Sequence, residues 1–120
     1  MNTYENLIVW KKSMQLVTDI YNITDRFPSV ENYCLKTQMR RAVVSIPSNI
    51  AEGAGRFTNK DFNNFLSFSS GSCCEIETQL LIAKNLKYIN EQQYINTKHQ
   101  VLIIKNMLFK LHQSNKTKQT

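Results

Sequence analysis

FNNFLSFSSGSCCEIETQLLIA, residues 62–83, sets Phe62, Leu66, Ser69, Cys73, Ile76, Leu80 and Ala83 on one line by alternating steps of four and three. Such steps return to the same side of an α-helix every two turns, whereas a strand would repeat at every second residue. The heptad seam suits shallow-angle antiparallel packing rather than steep globin-like crossings. Just upstream, Thr58-Asn59-Lys60-Asp61 supplies an N-cap with an acid in the first turn. From Ser67 to Cys74 nearly every residue is small, and Gly71 stands mid-helix, where it costs about 1 kcal/mol relative to Ala. Another helix is expected to approach closely there.

Working outward, three more helical patterns flank this one. Trp10, Met14, Val17 and Tyr21 form the apolar stripe of a first helix, beside Val9, Leu16, Ile20 and Ile23, and Phe27-Pro28 ends it. A second helix is predicted from near Asn32 to Glu52, burying Leu35, Met39, Ala42, Ile46 and Ile50. Pro47 lies inside it and predicts a kink, with Ser45 or Ser48 near the freed carbonyls, and Gly53-Ala54-Gly55 predicts a left-handed stop. The fourth helix opens at Asn90 with Gln93 three residues on, and buries Tyr94, Val101, Ile104, Leu108 and Leu111. Short connections favour antiparallel neighbours, so the expected fold is all-α: an up-down-up-down four-helix bundle over residues 1–113. Residues 114–120 are polar, basic and aperiodic, and read as a disordered tail.

Totals narrow the function classes. The 120 residues are one domain's worth, and 3 Gly with 2 Pro are too few for the turns of an all-β fold. Cys34, Cys73 and Cys74 form neither a disulfide framework nor a metal knuckle, so buried thiols in a reducing compartment, the cytoplasm, are expected. No apolar run approaches the roughly 20 residues that span a bilayer, so no membrane is expected. Fifteen Lys and Arg against nine Asp and Glu give +6, a balance compatible with RNA, DNA or an acidic protein. No Glu-x-x-His pair, P-loop, G-x-S-x-G or H-E-x-x-H motif occurs, so no enzyme activity, cofactor or metal is expected, and His99 and His112 read as surface residues.

Two sets of residues remain as candidates. Gln38, Arg41, Ser45, Asn49 and Glu52 recur beside the apolar stripe of the second helix, and polar groups so near a core need partners, with Glu75 and Arg56 available. A hydrogen-bonded network within the chain or between subunits is one reading, a solvated helix face is a second, and a catalytic or ligand site is a third. Lys36, Arg40, Arg56, Lys98 and Lys105 can project away from the apolar stripes as a phosphate-binding set. The first helix and the fourth also carry second apolar stripes, the latter Ile95, Leu102 and Phe109, which a single bundle leaves uncovered. Self-association is therefore expected.

The run Arg40-Arg41-Ala42-Val43-Val44-Ser45-Ile46-Pro47-Ser48-Asn49-Ile50-Ala51-Glu52-Gly53 resembles the four-helix-bundle family encoded by intervening sequences within 23S ribosomal RNA genes. The likeness extends to Leu7-Ile8-Val9-Trp10, Phe27-Pro28, Phe65-Leu66, Gly71-Ser72 and Glu75 to Leu80, most of the chain up to about Ile89. It departs at Cys34, where the family usually has Gly, and at Lys87, where it often does. The resemblance implies a ring-shaped homo-oligomer, most often a pentamer. A similar branch, the accessory proteins of diversity-generating retroelements, binds nucleic acid and a reverse transcriptase, so an RNA-associated protein or an accessory subunit for another enzyme is what the likeness implies.

Overall fold

Local side-chain chemistry sets the helix boundaries. In the computed structural model, which describes residues 3–118, the helices are α1 (Ile8–Thr24), α2 (Leu35–Ala54), α3 (Asn59–Asn85) and α4 (Glu91–Lys118). Thr58 Oγ1 accepts from the Asp61 amide at 3.1 Å and starts α3. Asn90 and Gln93 exchange side-chain-to-backbone bonds of 2.8 and 2.9 Å, a reciprocal capping box ahead of α4. A 3₁₀ turn, Ser29–Glu31, takes up the residues after Pro28, and the Glu31 carboxylate receives the Leu35 amide at 3.2 Å, so α2 begins three residues later than its periodicity predicts.

Contacts run in opposite chain directions along the α2/α3 and α3/α4 seams, and along α1/α2 as well, where Thr24 meets Arg40 while Trp10 shares a groove with Pro47 and Ala51. Ser45 and Ile46 of α2 meet Ser72 and Ser69 of α3, while Gly53 meets Phe65 and Phe62. Asn63 of α3 meets His112 and Asn115 of α4, Glu77 meets Lys105, and Lys84 meets Glu91. The helices thus go up and down in turn, in a body 47 × 24 × 20 Å, with α1 against α4 as the loosest seam. Leu16, Ile20, Met39, Ile46, Leu66, Ile76, Ile104 and Leu108 are fully buried along the axis. Burying each such side chain stabilises the fold by about 1.5–3 kcal/mol.

The structure corrects the sequence reading in four places. The core stripe of α1 is Val9, Ser13, Leu16, Ile20 and Thr24, not Trp10, Met14, Val17 and Tyr21. Ser13 and Thr24 can be buried because each hydroxyl bonds back to a carbonyl four residues earlier, Val9 and Ile20, at 2.7 Å. Gly53-Ala54-Gly55 is not a left-handed stop: neither glycine has positive φ, and Gly55 sits at φ −84°. The left-handed residue is Lys87 at φ 65°, after α3, where the amides of Lys87 and Tyr88 close back on the carbonyls of Lys84 and Ala83, both at 2.9 Å. That is a Schellman stop, built without glycine.

Finally, the segment from Ser114 is not a disordered tail as far as it is described. Helix α4 runs on to Lys118 because Asn115, only 4% exposed, donates to Asn63 Oδ1 at 3.0 Å and docks the last turns on α3. Residues 119 and 120 lie outside the described residues. Helix α2 continues through Pro47 to Ala54, with Ser45 and Ser48 hydroxyls bonded to the carbonyls of Ala42 and Val44 around it.

Candidate nucleic-acid interface

The polar stripe of α2 divides into a buried part and a wet part. Ser45, half-buried, shares a short hydrogen bond with Ser72 across the α2/α3 seam. Asn49 spends its amide on the Ser45 carbonyl of its own helix at 2.9 Å, and Glu52 pairs with Arg56 at 3.6 Å, both carrying exposed side chains. Gln38, Arg41 and Glu75 are exposed and line an open groove of 430 Å³ with Ala42, Ser45 and Ser72. Within this chain, then, one residue of the stripe bonds across to another helix. Asn49 and Glu52 do not, since both are answered locally, which removes the cost that would demand a distant partner.

Most of the cations singled out from sequence are held inside the fold. Arg40 donates to Thr24 Oγ1 at 2.9 Å and to the Tyr21 carbonyl at 3.1 Å, stacks 4.4 Å over the Tyr21 ring and lies 3.8 Å from Asp25. It clamps the end of α1 onto α2. Lys105 bonds Glu77 at 2.8 Å, and that hydrogen bond holds its ammonium above the ordinary lysine range. Arg56 lies over Phe65 at 4.6 Å as well as beside Glu52. Lys98 lies 5.5 Å over Tyr94 and Lys36 reaches Asn32 at 3.4 Å, so neither of these two is paired with a carboxylate among the described residues. The five do not form one patch: Lys36 and Arg40 are near the start of α2, Arg56 is beyond its end, and Lys98 and Lys105 lie on α4.

A different basic constellation forms where the start of α3 meets the last turns of α4. Asn59, Lys60, Asn63, Asn64, His112, Asn115 and Lys116 surround an open pocket of 340 Å³. Asn63 donates to the His112 carbonyl at 3.2 Å while its own Oδ1 receives Asn115, so the wall is fixed from both helices. Among the described residues no carboxylate lines it; Asp61, the acid in the same first turn, is not a lining residue. Sequence reading missed this site. The signal was the asparagine-rich start of one helix and the basic end of another, and only the antiparallel register brings them together.

Exposed apolar side chains occur on all four helices, and they gather on two faces in particular. Tyr4, Trp10, Met14, Val17, Val44 and Pro47 line a groove of 410 Å³ along α1 and α2. Ile95, Leu102 and Phe109 on α4 are 50%, 43% and 60% exposed, as the heptad-spaced second stripe predicts. The two are on different helix pairs. Buried Cys73 has its thiol pushed up to about 12, chiefly by burial, while Cys34 and Cys74 are exposed. Among the described residues no group of three His, Cys, Asp or Glu could hold a metal, and no helix is long and apolar enough to cross a membrane.

Comparison with known proteins agrees with this architecture. The sequence pattern of the 23S rRNA-intervening sequence protein family matches residues 5–110. A crystal structure of a protein of unknown function, described as from the S23 ribosomal protein family of Bacteroides thetaiotaomicron, superposes with a TM-score of 0.82 at 24% identity. The match covers 88% of this chain and 98% of that one, and at this identity it speaks to the fold. No curated protein matches the sequence significantly.

Proposed function

The chain belongs to the family of 23S rRNA-intervening sequence proteins, and from that premise we propose that it is a non-catalytic, cytoplasmic homo-oligomer, a pentamer as the resemblance implies, that associates with RNA through basic surface. The observation that carries the assembly is the pair of outer apolar faces. Phe109, Leu102 and Ile95 project from α4 while Tyr4, Met14 and Val44 stand exposed along the α1/α2 groove, and the four helices of one chain leave both sets open. Because the faces differ, a contact between them is head-to-tail, the kind that builds a ring where its rotation closes rather than a two-fold dimer. Light scattering at micromolar concentration should return a multiple of the 14.0 kDa chain mass, and Leu102→Glu with Phe109→Glu should return the single-chain mass with helicity retained. A single-chain mass for the unmodified protein would refute the assembly.

A second reading has its own support. Arg40, Arg56 and Lys105 are ion-paired or hydrogen-bonded within the chain, so less free positive charge is available than the composition promises. An accessory subunit that presents its apolar faces to another protein, a reverse transcriptase among the candidates the likeness suggests, needs no nucleic-acid contact. The absence of RNA binding at low salt, with assembly intact, favours that reading.

A further inference from the structure

We propose that the corner pocket between the start of α3 and the end of α4 receives a backbone phosphate of single-stranded RNA, with Lys60 and His112 as its principal donors. The inference rests on the RNA-associated reading above and names where that contact is made. Lys60 forms no ion pair or hydrogen bond among the described residues, unlike Arg40 and Lys105, so its charge is available without breaking a structural contact. A free ammonium facing a concave wall is the kind of group from which a phosphate displaces counterions.

Three features favour a phosphate over other partners. First, the pocket is lined by lysine, histidine and asparagine, and no carboxylate among the described residues supplies a counter-charge for a cation there. Secondly, the first turn of α3 contributes backbone dipoles whose positive ends face its own N-terminus, which adds to the attraction of the lysines. Thirdly, the Asn115–Asn63–His112 relay, with Asn115 only 4% exposed, holds the amide wall in place before any ligand arrives. Preorganised donors lose little entropy on binding. A volume of 340 Å³ is at the lower end of small-ligand clefts, which run to about 300–1,000 Å³. One phosphate with part of its nucleotide fits that scale, and Asn64 offers both a donor and an acceptor to the sugar or base edge.

Fluorescence anisotropy with a labelled oligouridine at several salt concentrations tests the assignment. Lys60→Glu should weaken binding about tenfold at low salt and reduce the salt slope by about one, as expected for one lost phosphate contact per site. Arg26→Glu, the same charge change just after α1 at the opposite end of the bundle, should weaken it by less than about twofold at the same salt. Lys60 is exposed and unpaired, so the variant should keep its helical circular dichroism. His112→Gln, which keeps the backbone carbonyl that Asn63 caps, should also weaken binding. Equal losses for Lys60→Glu and Arg26→Glu would overturn the pocket while leaving RNA association standing. No binding by the unmodified protein at low salt would overturn both, and a Lys60-dependent preference for oligoglutamate over oligouridine would reassign the pocket to an acidic protein.

Discussion

Helix α3 has two sides that look alike in sequence and behave differently in the fold. On the side toward α2, small residues are required: Ser69 donates to the Ile46 carbonyl at 2.8 Å, Ser72 meets Ser45, and Gly53 of α2 leaves room for Phe65 and Phe62. On the outer side, Ser67, Gly71 and Cys74 are exposed, and a methyl group placed on Gly71 would meet nothing within 4 Å. Smallness on the first side is enforced by a neighbour in the same chain. On the second side the chain itself gives no reason for it, and the comparison turns on whether the two glycines respond in opposite ways.

The largest difference is expected at Gly53. A Cβ there would stand 2.7 Å from Phe65 Cβ and 2.9 Å from Phe62 Cδ1, too close for either helix to ignore. Gly53→Ala should therefore cost about 1–3 kcal/mol through overpacking, read as a lower urea midpoint. A neutral result would mean that the α2/α3 seam is looser than its contacts imply. The two adjacent thiols extend the contrast. Cys73, with its folded pKa about 12 against an ordinary 9.0, stays protonated in the fold while the unfolded chain ionises. Its contribution is complete below about pH 9 and is lost as pH rises toward 12, by about 1.4 kcal/mol per unit in that window. Urea unfolding from pH 8 to 10.5 should show this decline, and Cys73→Ala should flatten it. Iodoacetamide should meanwhile label exposed Cys74 and Cys34 in the folded protein and spare Cys73.

At Gly71 the sign should reverse. With open space around it, Gly71→Ala should gain up to about 1 kcal/mol from helix propensity alone. If thermal stability of the chain rises but the assembled mass falls, the outer side of α3 is where a second copy packs; if both hold or rise, it is solvent-facing in the assembly too. Lys87 is the converse case, a place where glycine would serve and is absent. Its φ of 65° disfavours a side chain, and Lys87→Gly should stabilise by about 0.5–1 kcal/mol, measured by thermal unfolding.

How much of this the sequence disclosed depends on how far the deciding interaction reaches. The α3 seam, the Thr58 cap and the Asn90–Gln93 box were legible because each is complete within a few residues. The α1 core face was misread because Ser13 and Thr24 count as polar until their hydroxyls are seen to bond within the helix. The α4 extension and the corner pocket depend on Asn63 and Asn115, 52 positions apart, and no periodicity signals such a pair. Of the proposed cationic set, the charges themselves were plain. What could not be read was that Arg40 and Lys105 find partners on other helices, since that requires the register between them.

The smallest effect is expected where the sequence suggested a large one. Asn49 stands in the polar stripe at the edge of the core, and a buried amide without a partner there would make its removal cost about 1–3 kcal/mol. The observed side chain is half-buried and donates to the Ser45 carbonyl at 2.9 Å, one turn back on the same helix. Removing it leaves no other helix with an orphaned group, and alanine's better helix propensity offsets part of the lost bond. Asn49→Ala should therefore change the single-chain stability by no more than about 0.5 kcal/mol, in contrast to the loss at Gly53. The same variant weighed by light scattering separates the surfaces. An unchanged mass makes the stripe a wet face of α2, whereas a falling mass with unchanged helicity would mean that Asn49 bonds a second copy through the acceptor its own helix leaves open.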